Sequence, residues 1–131
     1  MALPSAVGEI VKRAGVDLFV LFGSRARGQA TADSDWDLAY RVAKEIGEAF
    51  DPDALLADLV GALKSDRIDL VDLNRGSALL RFRIAAEGKP LYQADPDAFQ
   101  SFQIDAVRYW CDVAPVLDRS YGEVLARLGE S

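Results

Sequence analysis

The chain has 131 residues, half of them apolar and about a quarter charged, the usage expected of one soluble globular domain with a single core. It contains no histidine and one cysteine, Cys111, which excludes histidine- or cysteine-built zinc sites, an intrachain disulfide and any mechanism needing a histidine base in this chain. The formal charge of −6 argues against broad electrostatic binding to nucleic acid, yet it leaves room for a local arginine patch that holds one nucleotide.

In chain order, Pro4-Ser5 followed by Val7, Ile10, Val11 and Ala14 predicts a short amphipathic helix that stops at Gly15. Asp17 to Phe22 is almost wholly apolar with β-branched and aromatic members, as a central strand covered on both faces would be. Ser24 to about Gly28 reads as one or two helical turns, and Gln29 to Ser34 as a small, polar loop. A second strand is expected over Asp35 to Tyr40. Val42, Ile46 and Phe50 have helical spacing, but Gly47 between them weakens a helix, so that stretch stays ambiguous.

Asp51-Pro52-Asp53 is a strong helix start, and Leu55, Leu56, Leu59, Val60 and Leu63 continue an apolar stripe to Lys64. Arg67 to Leu73 predicts a third strand, with Asp69, Val71 and Leu73 on one face and Ile68, Leu70 and Asp72 on the other. Ser77 can cap a helix through Ala85 that ends at Gly88, and Pro90-Leu91-Tyr92 suits a short edge strand. Asp95-Pro96 opens a last helical region with Phe99, Phe102, Ala106, Tyr109, Trp110 and Val113 at helical intervals. Pro115 is expected to kink or break it, after which Val116, Leu117, Tyr121, Val124, Leu125 and Leu128 continue an apolar face. No repeat or internal linker is evident, so one domain over residues 1–131 is expected, with residues 95–128 as a C-terminal helical extension packed on the same core. No apolar run approaches the roughly 18 residues of a membrane span, and Met1 to Val11 lacks a basic start with a long apolar region, so a cytoplasmic protein is expected.

The chemistry is concentrated between Leu21 and Leu38. Gly23-Ser24 follows the apolar strand directly, where a sharp turn exposes backbone N–H groups beside a serine hydroxyl and the guanidiniums of Arg25 and Arg27. That grouping suits a phosphate. Asp35 and Asp37 are two apart, so a strand there puts both carboxylates on one face and Trp36, Leu38 and Tyr40 on the other. Two convergent oxygen ligands suit Mg²⁺.

Each feature also has a structural explanation. Gly23-Ser24 can be an ordinary strand-to-helix turn, Asp35 and Asp37 a solvated strand face, and Arg25 and Arg27 solvated charges. Asp69 can pair with Arg67 or sit at a sheet's end, while Asp72 has the wrong parity to share a metal with it. Asp33 reads as a loop or cap residue and Cys111 as a small core residue. Trp36, Tyr40, Tyr109 and Trp110 read as core or partner-surface residues. Together, a phosphate-holding turn, a same-face carboxylate pair and a third carboxylate on a neighbouring strand are what metal-dependent phosphoryl or nucleotidyl transfer requires.

G-S-R-A-R-G-Q-A-T-A-D-S-D-W-D resembles the G-S-x10-D-x-D signature of the polymerase-β-like nucleotidyltransferase superfamily, with Gly23, Ser24, Asp35 and Asp37 at its fixed positions. R-I-D-L-V-D-L is similar to the strand bearing that family's third carboxylate, here Asp69. The small size and the L-L-R-F-R-I-A-A-E-G-K-P-L-Y stretch resemble the minimal nucleotidyltransferases, the MntA-type antitoxins paired with HEPN toxins.

The resemblance implies an α/β (α+β) nucleotidyltransferase fold, a small mixed and mostly antiparallel sheet with helices on one side. It implies transfer of AMP from ATP to a hydroxyl, which in such antitoxins is a tyrosine of the partner ribonuclease toxin. By the same resemblance, Asp35 and Asp37 hold Mg²⁺, Gly23 and Ser24 bind the triphosphate tail with Arg25 and Arg27 nearby, and Asp69 completes a second metal site or takes the acceptor's proton. The rival expectations are a non-catalytic module that neutralises a partner by contact through the C-terminal helices, and transfer to a small molecule or an RNA end. The apolar C-terminal face suits either a toxin or a second copy of the chain.

Overall fold

A computed structural model describes residues 5–129, with side chains through residue 115. Its elements run α1 (Ala6–Ala14), β1 (Val16–Phe22), α2 (Gly23–Ala26), β2 (Trp36–Val42), a 3₁₀ turn (Gly47–Ala49), α3 (Pro52–Leu63), β3 (Ile68–Asp72), α4 (Ala78–Glu87), β4 (Lys89–Gln93) and α5 (Ala98–Gly129). The four strands lie in the order β3-β2-β1-β4, antiparallel except for the parallel β2–β3 pair. The mixed, mostly antiparallel sheet expected from the sequence is therefore present, and β4 is the edge strand foreseen at Pro90.

The central strand explains the layering. Along β1, Phe19 and Leu21 point to one face and Leu18 and Val20 to the other, and all four are buried. The first pair joins Trp36, Leu38 and Tyr40 of β2 under Val7 and Val11 of α1 and Leu55 and Leu59 of α3. The second pair joins Ala39 and Leu73 under Ile84 and Ala85 of α4 and Ala98, Phe99, Phe102 and Ala106 of α5. Helices thus cover both faces, which corrects the one-sided packing that the resemblance implied. A seven-residue strand with apolar side chains of both parities cannot leave either face to water.

Local signals placed the helix ends. Asp51 Oδ1 accepts from the N–H groups of Asp53 and Ala54 at 3.1 and 3.2 Å, with Pro52 in the first turn. Ser77 Oγ accepts from Leu80 N–H at 3.1 Å, and α4 ends before Gly88. The ambiguous stretch after β2 is a turn with a short 3₁₀ segment, in which Phe50 packs on Tyr40 with ring centroids 5.0 Å apart.

At the C-terminal end the helix does not break at Pro115, one of the two outcomes expected there, and α5 continues to Gly129 as one helix of 32 residues. Proline removes one donor and crowds one carbonyl, but its φ is helical, and long helical stretches on both sides carry the helix across it. Cys111 is exposed rather than buried, because only the first turns of α5 lie on the sheet. Further along, Tyr109 and Trp110 leave the core for α4, where Trp110 meets Phe82 at 5.6 Å and Tyr109 lies under the Arg81 guanidinium at 4.5 Å. Pro4 and the side chains of Val116 to Leu128 lie outside the described residues.

Candidate active site

The site forms where β1 ends, β2 begins and β3 lies alongside. At the end of β1 the chain turns at Gly23 with φ +74, a conformation that residues with a Cβ rarely adopt. The turn has a second requirement. A Cβ at Gly23 would run into the Asp37 carboxylate, so the missing side chain is the space that the carboxylate occupies. Phe22 and Asp37 are register partners, which is why the glycine turn and this acid always meet. Ser24 is the second residue of α2, a single turn held by Arg27 N–H donating to the Gly23 carbonyl at 3.2 Å and Gln29 N–H to the Ser24 carbonyl at 3.0 Å.

The parallel β2–β3 ladder pairs Asp37 with Asp69, side by side on the face toward α4 and α5. The same ladder pairs Asp72 with Tyr40 on the opposite face. Parity therefore separates the two aspartates of β3 as the sequence predicts. β2 begins at Trp36, one residue later than expected, and Asp35 is an exposed loop residue just before it. Asp69 is exposed and Asp37 half-buried.

Electrostatics mark Asp37 as the centre of the group. Its carboxyl is raised above its ordinary value, first by burial, then by the neighbouring charges of Asp69 and Asp35, with the Arg27 guanidinium pulling the other way. Three carboxylates repelling one another are a donor set that a hard cation would relieve. Among the described residues, no three acidic, histidine or cysteine side chains stand together closely enough to hold a metal ion as they are placed. Asp37 has Asp69 as its register partner on β3 and feels the charge of Asp35 two residues before it.

Both arginines of the motif have protein partners. Arg27 Nη1 pairs with Glu87 Oε2 of α4 at 3.0 Å, and its Nε donates to Gln29 Oε1 at 3.3 Å. Arg25 Nη2 donates to the Ser34 carbonyl at 2.8 Å, and its guanidinium lies 4.0 Å from the centroid of the Trp36 ring. Arg67, which the sequence offered as an ion-pair partner for Asp69, instead donates from Nη1 to the Asp33 carbonyl at 2.7 Å. Among the described residues the ion pairs are Arg27–Glu87, Arg41–Asp17 and Arg75–Asp72, and none of them uses Asp69. The contacts of Arg25 and Arg67 with the loop were not read from the sequence. Nothing in spacing announces a bond from a side chain to a loop carbonyl 34 residues away.

A protein adenylyltransferase MntA from Aphanizomenon flos-aquae (strain 2012/KM1/D3) is 40% identical over 94 residues, which cover 66% of this chain and 63% of that relative's length. A crystal structure of a toxin-antitoxin with AMP-PNP is 24% identical, with a TM-score of 0.65 over 86% of this chain and 94% of that chain. A structure of tri-AMPylated Shewanella oneidensis HEPN toxin in complex with MNT antitoxin is 22% identical, with a TM-score of 0.59 over 86% of this chain and 91% of that chain. Both structures share the fold described above. The family model "Polymerase beta, Nucleotidyltransferase" matches residues 7–97, from α1 past β4, and so takes in the glycine turn and all three carboxylates. The chain belongs to the polymerase beta nucleotidyltransferase family.

Proposed function

We propose that this protein is a minimal nucleotidyltransferase that moves AMP from ATP onto a tyrosine hydroxyl of a partner HEPN-type toxin and so acts as its antitoxin in the cytoplasm. The observation that carries this reading is the register pairing of Asp37 with Asp69 beside the Gly23 turn, with the charge of Asp35 also acting on Asp37. The partner and the acceptor are drawn from the relatives, one an MntA protein adenylyltransferase and one a complex with an AMPylated HEPN toxin.

Asp35, Asp37 and Asp69 would hold Mg²⁺, one ion or two, which when bound neutralises phosphate charge and polarises the phosphoryl oxygens. The donor chemistry fits, since all three are hard oxygen ligands and the central one is strained by its neighbours' charge. Gly23 and Ser24 offer an N–H and a hydroxyl to the triphosphate tail, and Arg27 adds positive charge beside Asp37. The acceptor oxygen bonds to the α-phosphorus, the bond to the bridging oxygen breaks, and pyrophosphate leaves. Asp69, which is exposed, would either complete a second metal site or take the hydroxyl proton.

Ile104, Val107 and Tyr109 of α5 are exposed, which is where we place the docking surface for a partner. The test is to incubate the protein with ATP, Mg²⁺ and the HEPN-type protein encoded beside it, then weigh the partner. A gain of whole AMP units on a tyrosine is expected. No gain with any such partner sinks the proposal. Replacing both Asp35 and Asp37 by Asn should abolish transfer while binding persists; neutralisation that survives the double substitution would instead favour an antitoxin acting by contact alone.

A further inference from the structure

Asp35 is the only one of the three carboxylates outside regular structure, yet the two residues before it are firmly held. The loop from Gln29 to Ser34 has little packing of its own, since Ala30 and Ala32 are its apolar members and residues 31–33 are exposed. Its order comes from polar ties. Within it, Thr31 N–H donates to Ser34 Oγ at 2.8 Å and Ser34 N–H to the Thr31 carbonyl at 3.1 Å. From outside, the Arg25 guanidinium takes the Ser34 carbonyl at 2.8 Å and the Arg67 guanidinium takes the Asp33 carbonyl at 2.7 Å. Charged donors at these distances make the stronger class of hydrogen bond.

Each arginine is itself anchored. The Arg25 guanidinium lies over the buried Trp36 ring in a cation–π contact. Arg67 is bonded at both its ends, because its own carbonyl accepts the Trp36 N–H at 2.8 Å while its side chain reaches Asp33. The anchors also come from the right places. Arg25 follows Gly23-Ser24 within α2, and Arg67 stands one residue before the strand that carries Asp69.

We propose that Arg25 and Arg67 are positioning residues that clamp the carbonyls of Asp33 and Ser34 and thereby fix Asp35 relative to both the Gly23-Ser24 turn and Asp69. Arg25 then serves the site through the loop rather than by touching phosphate. The clamp deepens the proposed function, and its consequence for rate rests on that reading; its consequence for the loop does not.

The test measures amide hydrogen exchange by mass spectrometry alongside kinetics in Arg25→Ala, Arg25→Lys and Arg67→Ala. Exchange in peptides spanning residues 29–35 should quicken about tenfold or more in both alanine variants, while peptides from α3 stay unchanged. Arg25→Lys should not restore protection, since lysine keeps the charge but loses the planar fork and the guanidinium's contact with Trp36. For AMP transfer, kcat should fall on the order of 10- to 100-fold with the KM for ATP close to wild type. Unchanged exchange in both alanine variants overturns the clamp. So does a rise in the KM for ATP in Arg25→Ala that accounts for all the lost activity while the loop stays protected, which would make Arg25 a phosphate ligand. If wild-type protein transfers no AMP at all, the proposed function fails and the exchange data alone decide the clamp. Should Arg25→Ala not fold, Arg67→Ala carries the test, because that side chain is exposed.

Discussion

Strands β2 and β3 carry two polar register pairs three residues apart, Asp37 with Asp69 and Tyr40 with Asp72, and the two pairs differ in what their surroundings supply. At the Tyr40 end, burial and the Asp72 charge raise the phenol above its ordinary value, and Arg75, paired to Asp72 at 3.8 Å, offsets part of that. A phenol stays neutral near pH 7 in any case, so nothing there needs a partner from outside. At the Asp37 end, two acids face each other, a third stands beside them, and the nearest cation, Arg27, is shared with Glu87. In the function proposed above, a cation would complete that end. A cleft of about 740 Å³ opens at the Tyr40 end, lined by Tyr40, Phe50, Asp72 and Arg75 among others.

The sharpest way to break this comparison is to neutralise one acid of each pair. Asp69→Asn should lower AMP transfer on the order of 10²- to 10³-fold, while Asp72→Asn, on the opposite face, should stay near wild type. Initial rates of AMP incorporation measure both, and equal losses would make the two ends indistinguishable.

A smaller effect is expected from two glycines with the same φ of +74. Alanine at Gly23 meets the Asp37 carboxylate as well as the strained backbone, and should cost roughly 2–4 kcal/mol in urea unfolding. Alanine at Gly28 finds open space and should cost only about 1 kcal/mol of backbone strain. If the two variants unfold together, the close approach of Asp37 to the turn is not what requires glycine.

The smallest effect is the pH dependence of stability, measured with a metal chelator present. Both raised groups favour their protonated forms in the fold, so each contributes stability that is whole below its unfolded pKa and is lost as pH rises through the folded one. For Asp37 that loss sets in above about 3.8, and for Tyr40 only above about 10. Asp37→Asn should therefore raise Tm by a few degrees at most near pH 7, with the gain vanishing toward pH 3. Tyr40→Phe should protect only at alkaline pH. A gain for Asp37→Asn that is constant across pH would exclude charge repulsion as its cause.

Much of the fold was legible because local physics decided it. The Asp51-Pro52 and Ser77 caps, the apolar run at β1 and the alternation in β3 each dictate an element from a handful of neighbours. The same holds for the candidate site, since the fixed spacing from Gly23-Ser24 to Asp35 and Asp37 and the parity of Asp69 against Asp72 can be counted along the chain. What could not be counted were outcomes set by competition between distant surfaces. Helices on both faces, the unbroken passage of α5 through Pro115, and the exposure of Cys111 depend on which layer covers which. The destinations of the arginines belong with these. A guanidinium six or seven atoms from its backbone chooses among phosphate, water, a loop carbonyl and a ring only once the fold has brought them within reach, and here Trp36 with Ser34, and Asp33, were the groups within reach of Arg25 and Arg67. The sequence by itself determined which residues carry charge and on which strand face; only the tertiary structure decided which of those charges are answered inside the protein and which are left for a ligand.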